Sequence, residues 1–327
     1  MWNKTLKYDP IKSLLKSNNK AISYYTKTDL IGDSTEKINL LSTLEVKYIL
    51  SKQEKNGSWK PAKNTGYPPD NKKLVETFRN LRTLVRKYRI TRDITQIQLA
   101  SEYMYTWQTK EGDFRGFIGD QYATYYTGEI LAILTLAGYR DDQRTINGLE
   151  WLLSKRQEDG GWTIPILTHK LDRKTSYRAV TEPWKVYEPI REMPFSHNWT
   201  DIVLRAFSVH PKYCKRKEVL HAAELLKSRF FKPDVYGSYK AASHWVTFSF
   251  WWPNIVTSLD SLSRLGYGLD DKEIKLAVEW LQDNQQEYGL WKLSYKKGSK
   301  RKDSRKEKER EEWLTLEICR ILKRIVS

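Results

Sequence analysis

Three short segments of the sequence place aromatic rings beside side chains that can gain or lose a proton. The first holds Asp120, Tyr122, Tyr125, Tyr126 and Glu129, the second His197, Trp199 and Asp201, and the third His244, Trp245, Phe248, Trp251 and Trp252. Ring faces can stabilise a carbocation or hold an ammonium group through their quadrupoles. A carboxyl or imidazole group in apolar surroundings has a shifted pKa and can transfer protons.

We therefore assign candidate roles to all of these residues. The candidate catalytic residues are Asp120, Glu129, His197 and Asp201. The candidate ligand-binding residues are the aromatic ones together with His244. Ordinary packing of large rings in a core is the alternative interpretation of all three segments.

Metal and redox chemistry find little support in the composition. The two cysteines, Cys214 and Cys319, are far apart and fit no metal-binding or redox spacing. So few cysteines exclude a disulfide framework, and a reducing cytoplasm is the expected location. No apolar run approaches the length of about 18 residues that crosses a bilayer. We predict no metal and no cofactor, and we leave peripheral attachment to a membrane open.

Helices must position these segments, because the apolar residues follow helical periods. The stretch 129–136 is apolar nearly all round, which is typical of a buried helix. Ile274, Ala277, Val278 and Leu281 form the i, i+3, i+4, i+7 stripe of an amphipathic helix. No useful length of sequence alternates with period two. The pattern predicts an all-α fold.

An internal repeat organises these helices. Two segments align without a gap, each running from an Asp-Asp pair through Glu-Trp-Leu to a glycine and a closing tryptophan. With weaker copies, the closing aromatic residues are Trp59, Phe114, Trp162, Tyr239 and Trp291. The Asp pairs at 141–142 and 270–271 can cap helix starts, and Gly160 and Gly289 can supply positive φ after a helix. An insert at about 165–195 is either a lid or an ordinary connection.

The recurring Gln-x2–3-Gly-x-Trp after an amphipathic helix resembles the repeat of squalene cyclases and protein prenyltransferase β subunits. The resemblance covers about Val46 to Trp291. It implies an α/α toroid built of five to six helical hairpins, with inner helices around a central cavity. We predict a single toroid domain over 1–327, with the insert at 165–195 and a basic loop at 296–310.

The chemical motifs of that superfamily are missing from the sequence. Cyclases that protonate an alkene carry Asp-x-Asp-Asp, and the sequence contains no Asp-x-Asp. The pairs 141–142 and 270–271 do not extend to Asp-Asp-x-x-Asp, because Thr145 and Ile274 occupy the last position. Neither cysteine follows an Asp by two residues, as the prenyltransferase zinc site requires. Catalysis of the isomerase or transferase type is therefore left open.

Positive charge is the remaining feature of the composition. Lys and Arg number 57 against 40 Asp and Glu, which gives a net charge of +17. A large share of this positive charge lies in the segment 296–310. We interpret the segment as a solvated loop and a candidate contact for an anionic membrane surface. The sequence contains no nucleic-acid-binding motif, so nucleic acid is not an expected partner. No partner protein is predicted.

Three functions are compatible with these features. The favoured one is a terpene cyclase-like or prenyltransferase-like protein that binds an isoprenoid or other apolar ligand in an aromatic central cavity. The first alternative is a carbohydrate-active toroid enzyme of the lyase or glycosidase kind, since rings and acids also suit sugars. The second alternative is a non-catalytic binding module for a polyanion or a membrane surface.

Overall fold

The computed structural model describes residues 3, 6–35, 37–61, 69–236, 241–249, 251–302 and 304–326. Over those ranges the regular elements are helical and only isolated β-bridges occur, which confirms the all-α class. The α-helices are α1 (Ile11–Leu15), α2 (Lys20–Tyr25), α3 (Leu44–Ser51), α4 (Pro69–Arg82), α5 (Thr95–Tyr105), α6 (Thr124–Leu134), α7 (Gln143–Ser154), α8 (Arg173–Thr181), α9 (His197–Ser208), α10 (Lys217–Lys227), α11 (Ile255–Arg264), α12 (Lys272–Asp283) and α13 (Arg305–Val326).

The chain forms two compact units. The central unit comprises residues 44–225, and the terminal unit comprises residues 1–43 together with 226–327. The central unit holds α3 to α9 and most of α10, whereas α1, α2 and α11 to α13 belong to the terminal unit. One toroid domain over the whole chain stays a prediction.

The predicted caps of the amphipathic helices are present. Asp142 lies in extended backbone before α7 and accepts a hydrogen bond from the Arg144 N–H at 2.9 Å. Asp271 accepts bonds from the Glu273 and Ile274 N–H groups before α12, each at 3.1 Å. These bonds satisfy donors that a helix start leaves without an intrahelical partner.

The two predicted turn glycines have positive φ but do not end the helices themselves. Gly160 has φ +99° and Gly289 has φ +86°. Their helices end earlier, α7 at Ser154 and α12 at Asp283, so the glycines lie in the turns that follow. Position 289 requires a glycine, because a Cβ there would lie 2.8 Å from the carbonyl oxygen of Asp9.

Each described closing turn buries an aromatic ring and ties it to the helices on both sides. The indole Nε1 donates to the carbonyl ten residues back in the preceding helix, at 2.7 Å for each of Trp59 to Ile49, Trp162 to Leu152 and Trp291 to Leu281. The backbone N–H of the closing residue donates to a threonine Oγ1 of a later helix: Trp59 to Thr77, Phe114 to Thr127, Trp162 to Thr200 and Trp291 to Thr315. The tryptophans are thus architectural, and the closing turn at Gly237–Tyr239 lies outside the described residues.

In the last copy of the repeat, Gln285 occupies the position of the repeat glutamine, whereas the sequence pattern had selected Gln286. Gln53, Gln108 and Gln285 each donate through Nε2 to the carbonyl of the glycine four residues on, at 2.8–3.0 Å. Gln286, which the sequence pattern selected, instead donates to Asn284 and Tyr295. Two adjacent glutamines made the register ambiguous, and only the backbone of the turn decides between them.

The last helix overlaps the predicted basic loop. The sequence predicts a solvated loop over 296–310, but α13 begins at Arg305. The final residues of the basic segment are therefore helical. Burial of Trp313, Leu316 and Leu322 fixes the helix, and its polar first turns continue into solvent because helix formation is cooperative.

Candidate functional site

The close packing of α6 against α9 builds the centre of the central unit. Gly128 on α6 lies against α9, and a Cβ added there would come within 2.8 Å of the Val203 Cα atom. Glycine is therefore needed for this approach of the two backbones. α6 is buried along nearly its whole length, as its apolar sequence predicted. The side chains next to Gly128 on α6 can consequently reach those of α9.

An aromatic wall runs along this centre, formed by Phe78 on α4, Phe117 in a loop, Tyr125 and Tyr126 on α6, and Trp199 on α9. The rings of Phe117 and Tyr126 stack with centroids 3.9 Å apart. Phe78 meets Tyr126 edge-on at 5.3 Å. Tyr125 lies 4.5 Å from Tyr126 and 4.7 Å from Trp199. Tyr126 is the half-buried member, and the other four are buried.

An arginine cluster lies directly beside the aromatic wall. We use this name for Arg82, Arg86, Glu129, Asp201 and Arg205. Arg86 Nε is 2.7 Å from Glu129 Oε1, and Arg205 NH1 is 3.3 Å from Glu129 Oε2. Arg205 NH2 also pairs with Asp201 one turn earlier on α9. Both carboxylates are fully buried, and buried charges persist only when they are paired.

Arg82 joins the two features. Its guanidinium carbon lies 5.2 Å from the centroid of the Phe78 ring, in a cation–π arrangement. Burial lowers the pKa of Arg82 to about 10, although the charge of Glu129 opposes this effect. The positive charges of Arg86 and Arg205 lower it further. Arg82 therefore places the arginine cluster next to the rings of the aromatic wall.

Glu129 and Asp201 are the two predicted catalytic residues that the structure brings together. Both are engaged by Arg205. His197 is buried at the first position of α9, behind the N-cap Ser196. Asp120 is exposed, and its Oδ2 accepts a bond from the Trp184 N–H at 3.1 Å.

Tyr122 lies apart from the aromatic wall. Its hydroxyl is 2.7 Å from Glu111 Oε2 and 2.8 Å from Glu188 Oε1. Its ring packs against Trp151, and the Lys155 ammonium lies 4.3 Å from the ring centroid. Burial, followed by the bonds to the two glutamates, raises the pKa of Tyr122. The residue thus links the loop before α6 to the insert.

The insert at 165–195 is an ordered part of the central unit that contains α8. Gln121 fastens it, donating to the Lys185 carbonyl at 2.8 Å and accepting from the Tyr187 N–H at 3.0 Å. Gln157 holds its far end, donating to the carbonyls of Ile190 and Met193, each at 2.8 Å. These bonds place the insert against the loop that leads into α6, the helix that carries Tyr126.

The third predicted set lies in the terminal unit and is described by itself. Trp245 is fully buried in a short 3₁₀ segment, and its Nε1 donates to the Lys232 carbonyl at 2.8 Å. His244 lies 4.9 Å from the Trp245 ring, and Phe248 packs near Trp280. Trp251 and Trp252 stack on each other at 4.6 Å. This segment precedes α11 and contains only a short 3₁₀ turn, so its aromatic rings are not positioned by an α-helix as the sequence predicted.

Several members of the site were missed at the sequence level. Arg82, Arg86 and Arg205 were not selected, although Arg205 interrupts the apolar run from Ile202 to Phe207. The spacing of four residues between Asp201 and Arg205 also predicts contact on one helix face. Phe78 and Phe117 offered no such signal, because an isolated aromatic residue in a helix or loop is ordinary.

The basic segment retains most of its charge on the surface. Arg301 is anchored by Glu311, with a distance of 2.9 Å between NH2 and Oε2. The other lysines and arginines of the described part of 296–310 are exposed. Among the described residues, no helix combines the length and apolarity needed to span a membrane. Within the same ranges, no group of three or more His, Cys, Asp or Glu side chains is arranged to hold a metal ion.

Comparison with solved structures finds distant similarity. A variant of the type II terpene cyclase MstE from Scytonema, in complex with merosterolic acid A, aligns with a TM-score of 0.35 and 12% identity over 86% of this chain and 94% of that chain. Ligand-free MstE aligns with a TM-score of 0.33 and 14% identity over 85% and 95%. A protein from Actinoplanes aligns with a TM-score of 0.31 and 12% identity over 86% and 98%. No protein-family model and no curated protein matches the sequence. Similarity at this level carries no argument about the ligand or reaction of this chain.

Proposed function

We propose that the central unit binds an isoprenoid or similar apolar chain along the aromatic wall. The observation that carries this proposal is the continuous contact of five rings from Phe78 to Trp199. Tyr126, the half-buried ring, is the one that solvent reaches. Aromatic faces offer large apolar area to an unsaturated chain and attract cationic centres. The repeat motif, which resembles that of isoprenoid-handling proteins, points to the same ligand class.

The role that the site supports is binding and orientation of the ligand. Both central carboxylates are engaged by arginines, so proton donation to an alkene is not part of the proposal. A carbohydrate ligand is supported less well, because Phe78, Phe117 and Trp199 present apolar ring faces and the carboxylates beside the wall, Glu129 and Asp201, are engaged by arginines. Isoprenoid binding is therefore the function that the geometry supports best.

Titration calorimetry with geranylgeraniol, a neutral prenyl alcohol, tests the proposal. We expect saturable binding by the full chain and a loss of at least about tenfold in affinity for Tyr126→Ala, since the ring contributes both stacking and burial. Trp184→Ala is the matched control, because this ring lies in the insert outside the wall. Absence of binding by the full chain, or an equal loss in the control, contradicts the proposal.

A further inference from the structure

The middle of the insert buries little apolar surface. We call residues 169–188, which include α8, the flap. Ala179 is its only buried residue, and the structure describes the flap throughout. Tyr177 is 67% exposed, whereas α9 is buried over its whole length. Because burial of apolar surface is the main force that holds an element in place, the flap is held more weakly than the helices of the core.

Hydrogen bonds from three consecutive residues before α6 hold the flap instead. Gln121 donates to the carbonyls of Ala179 and Lys185, at 3.2 and 2.8 Å, and accepts a third bond from the flap backbone at 3.0 Å. Asp120 and Tyr122, on either side of it, each add one further bond to the flap. When the flap moves away, bonds to water replace these bonds, so the net strength of each is small.

The two ends of the flap are joined to each other by a neck. His169 at one end donates through Nε2 to the carbonyl of Glu188 at the other end, at 2.6 Å. Just outside the flap, the Ile190 N–H donates to Thr168 Oγ1 at 2.9 Å. Thr168 is buried, so the neck is fixed to the core. A flap whose two ends are fixed together can swing as one piece about the residues of its neck.

The segment under the flap also contributes a ring to the aromatic wall. Phe117 lies three residues before Asp120, and its ring stacks on that of Tyr126 with centroids 3.9 Å apart. Between them, Gly119 packs closely against the flap, because a Cβ added there would lie 3.0 Å from the Val180 carbonyl oxygen. Movement of the flap therefore frees the segment that carries Phe117.

We propose that the flap is a lid that opens on its neck and admits a ligand to the aromatic wall. Four of the five rings of the wall are buried, so a ligand reaches them only after part of the protein moves. The flap combines weak burial, a fixed neck and a direct connection to Phe117. The admission of a ligand rests on the proposed function, whereas the opening of the flap does not depend on it.

Hydrogen–deuterium exchange of the full chain, read out by mass spectrometry of its peptides, tests the opening. We expect amides of the flap to exchange at least about tenfold faster than those of α9, because local opening costs less than global unfolding. Gln121→Ala removes three bonds at once and should speed exchange of the flap at least about tenfold more, with no change in α9. Peptides that cover residues 117–123 should be accelerated with the flap, since the flap covers them.

Gln53→Ala is the matched control for Gln121→Ala. Gln53 also donates to two backbone carbonyls, those of Gly57 and Gln96, but it lies in the first closing turn and not under the flap. We expect this variant to leave exchange of the flap unchanged.

Stopped-flow binding of geranylgeraniol, followed by tryptophan fluorescence, tests the gating role. A lid that closes over both the free and the occupied site changes the association and dissociation rates by the same factor. We expect Gln121→Ala to raise both rates at least about threefold and to leave Kd within about twofold. Gln53→Ala should change neither rate.

Each remaining outcome counts against a defined part of the proposal. Amides of the flap that exchange no faster than those of α9, or that respond equally to both glutamine variants, contradict the opening. Binding rates that Gln121→Ala leaves unchanged contradict the gating role alone. Absence of binding by the full chain overturns the proposed function together with the gating role, and the exchange data then decide on the opening.

Tyr122→Phe provides a second variant if Gln121→Ala fails to fold. It keeps the ring and removes the hydroxyl that donates to Glu188. Exchange of the flap should still rise measurably above that of the unmodified chain, by less than the loss of three bonds would give. Unchanged exchange in this variant would contradict the lid in the same way.

Discussion

Two glycines of the terminal unit share one backbone conformation and differ in their surroundings. Gly289 has φ +86° and lies 2.8 Å, measured from an added Cβ, from the Asp9 carbonyl oxygen. Gly32 has φ +88° and nothing within 4 Å of the same point. Substitutions at the two glycines separate the free-energy cost of positive φ from that of steric contact. The cost of positive φ is the same at both positions, and only Gly289 adds a steric contact.

We expect Gly289→Ala to destabilise the protein more than Gly32→Ala does. The latter should cost about 1–2 kcal/mol from the left-handed conformation alone. The former adds displacement of a backbone carbonyl in the closing turn, roughly another 1–3 kcal/mol. Urea unfolding of both variants measures the difference. Equal losses would mean that the close approach of Asp9 to this turn does not contribute to stability.

The cap at Asp142 makes stability depend on acidity. The hydrogen bond from the Arg144 side chain, together with that from the Arg144 N–H, outweighs burial and lowers the pKa of Asp142 below its ordinary value. A lowered folded-state pKa stabilises the fold above the unfolded value near 3.8, and this contribution disappears as the pH falls through the folded value. The affected window therefore lies below about pH 4.5.

Asp142→Asn tests this pH dependence, since asparagine also caps helices but carries no charge. At pH 7 the variant should be less stable by about 0.3–1 kcal/mol, the value of a charge at a helix start. The gap should close as the pH falls below 4, which denaturant unfolding at several pH values measures. Asp141→Asn, at an exposed neighbour, should show little of either effect. A gap that stays constant with pH would assign the loss to something other than the charge.

At the scale of the elements, the approach of α6 to α9 positions the site. Gly128→Ala would bring a Cβ within 2.8 Å of the Val203 Cα, so the helices must separate. Arg205 would then move from Glu129. We expect a loss of roughly 1–3 kcal/mol in unfolding free energy, despite the better helix propensity of alanine.

Gly148→Ala in α7 is the control for that substitution. Its new Cβ would meet the methyl groups of Leu131 at 2.8–2.9 Å, which a change of leucine rotamer can relieve. Its backbone contact, with the Gly112 carbonyl oxygen at 3.1 Å, is looser than the 2.8 Å contact with the Val203 Cα at Gly128. We therefore expect the smaller loss at Gly148. The reverse order, measured by thermal or urea unfolding, would contradict the account of how α6 and α9 are packed.

Element identity was predictable where a pattern is local. The periods of 129–136 and 274–281 gave α6 and α12, and the acidic caps gave two helix starts. The choice between Gln285 and Gln286 was not predictable, because the two residues are identical and adjacent. They differ only in the carbonyl to which each side chain donates, Gly289 for the first and Asn284 for the second. The start of α13 at Arg305 was missed because a run of charges is compatible with either a loop or an exposed helical turn.

At the scale of the whole molecule, sequence reasoning found part of the candidate site. Glu129, Asp201, Tyr125, Tyr126 and Trp199 were selected, and the structure brings them together. Phe78 and Arg82, which lie on α4 at the same site, were not selected, because contacts between helices distant in the chain leave no trace in a single sequence. The roles of these residues and of the basic segment stay predictions until ligands are tested.

The most direct measurement of the central claim is photo-crosslinking with a diazirine-bearing analogue of geranylgeraniol, followed by peptide mapping. The account predicts labelling of peptides that carry Phe78, residues 117–126 and Trp199, and suppression of that labelling by excess unlabelled alcohol. Labelling scattered over exposed peptides, or labelling that unlabelled alcohol does not suppress, would contradict isoprenoid binding at the aromatic wall.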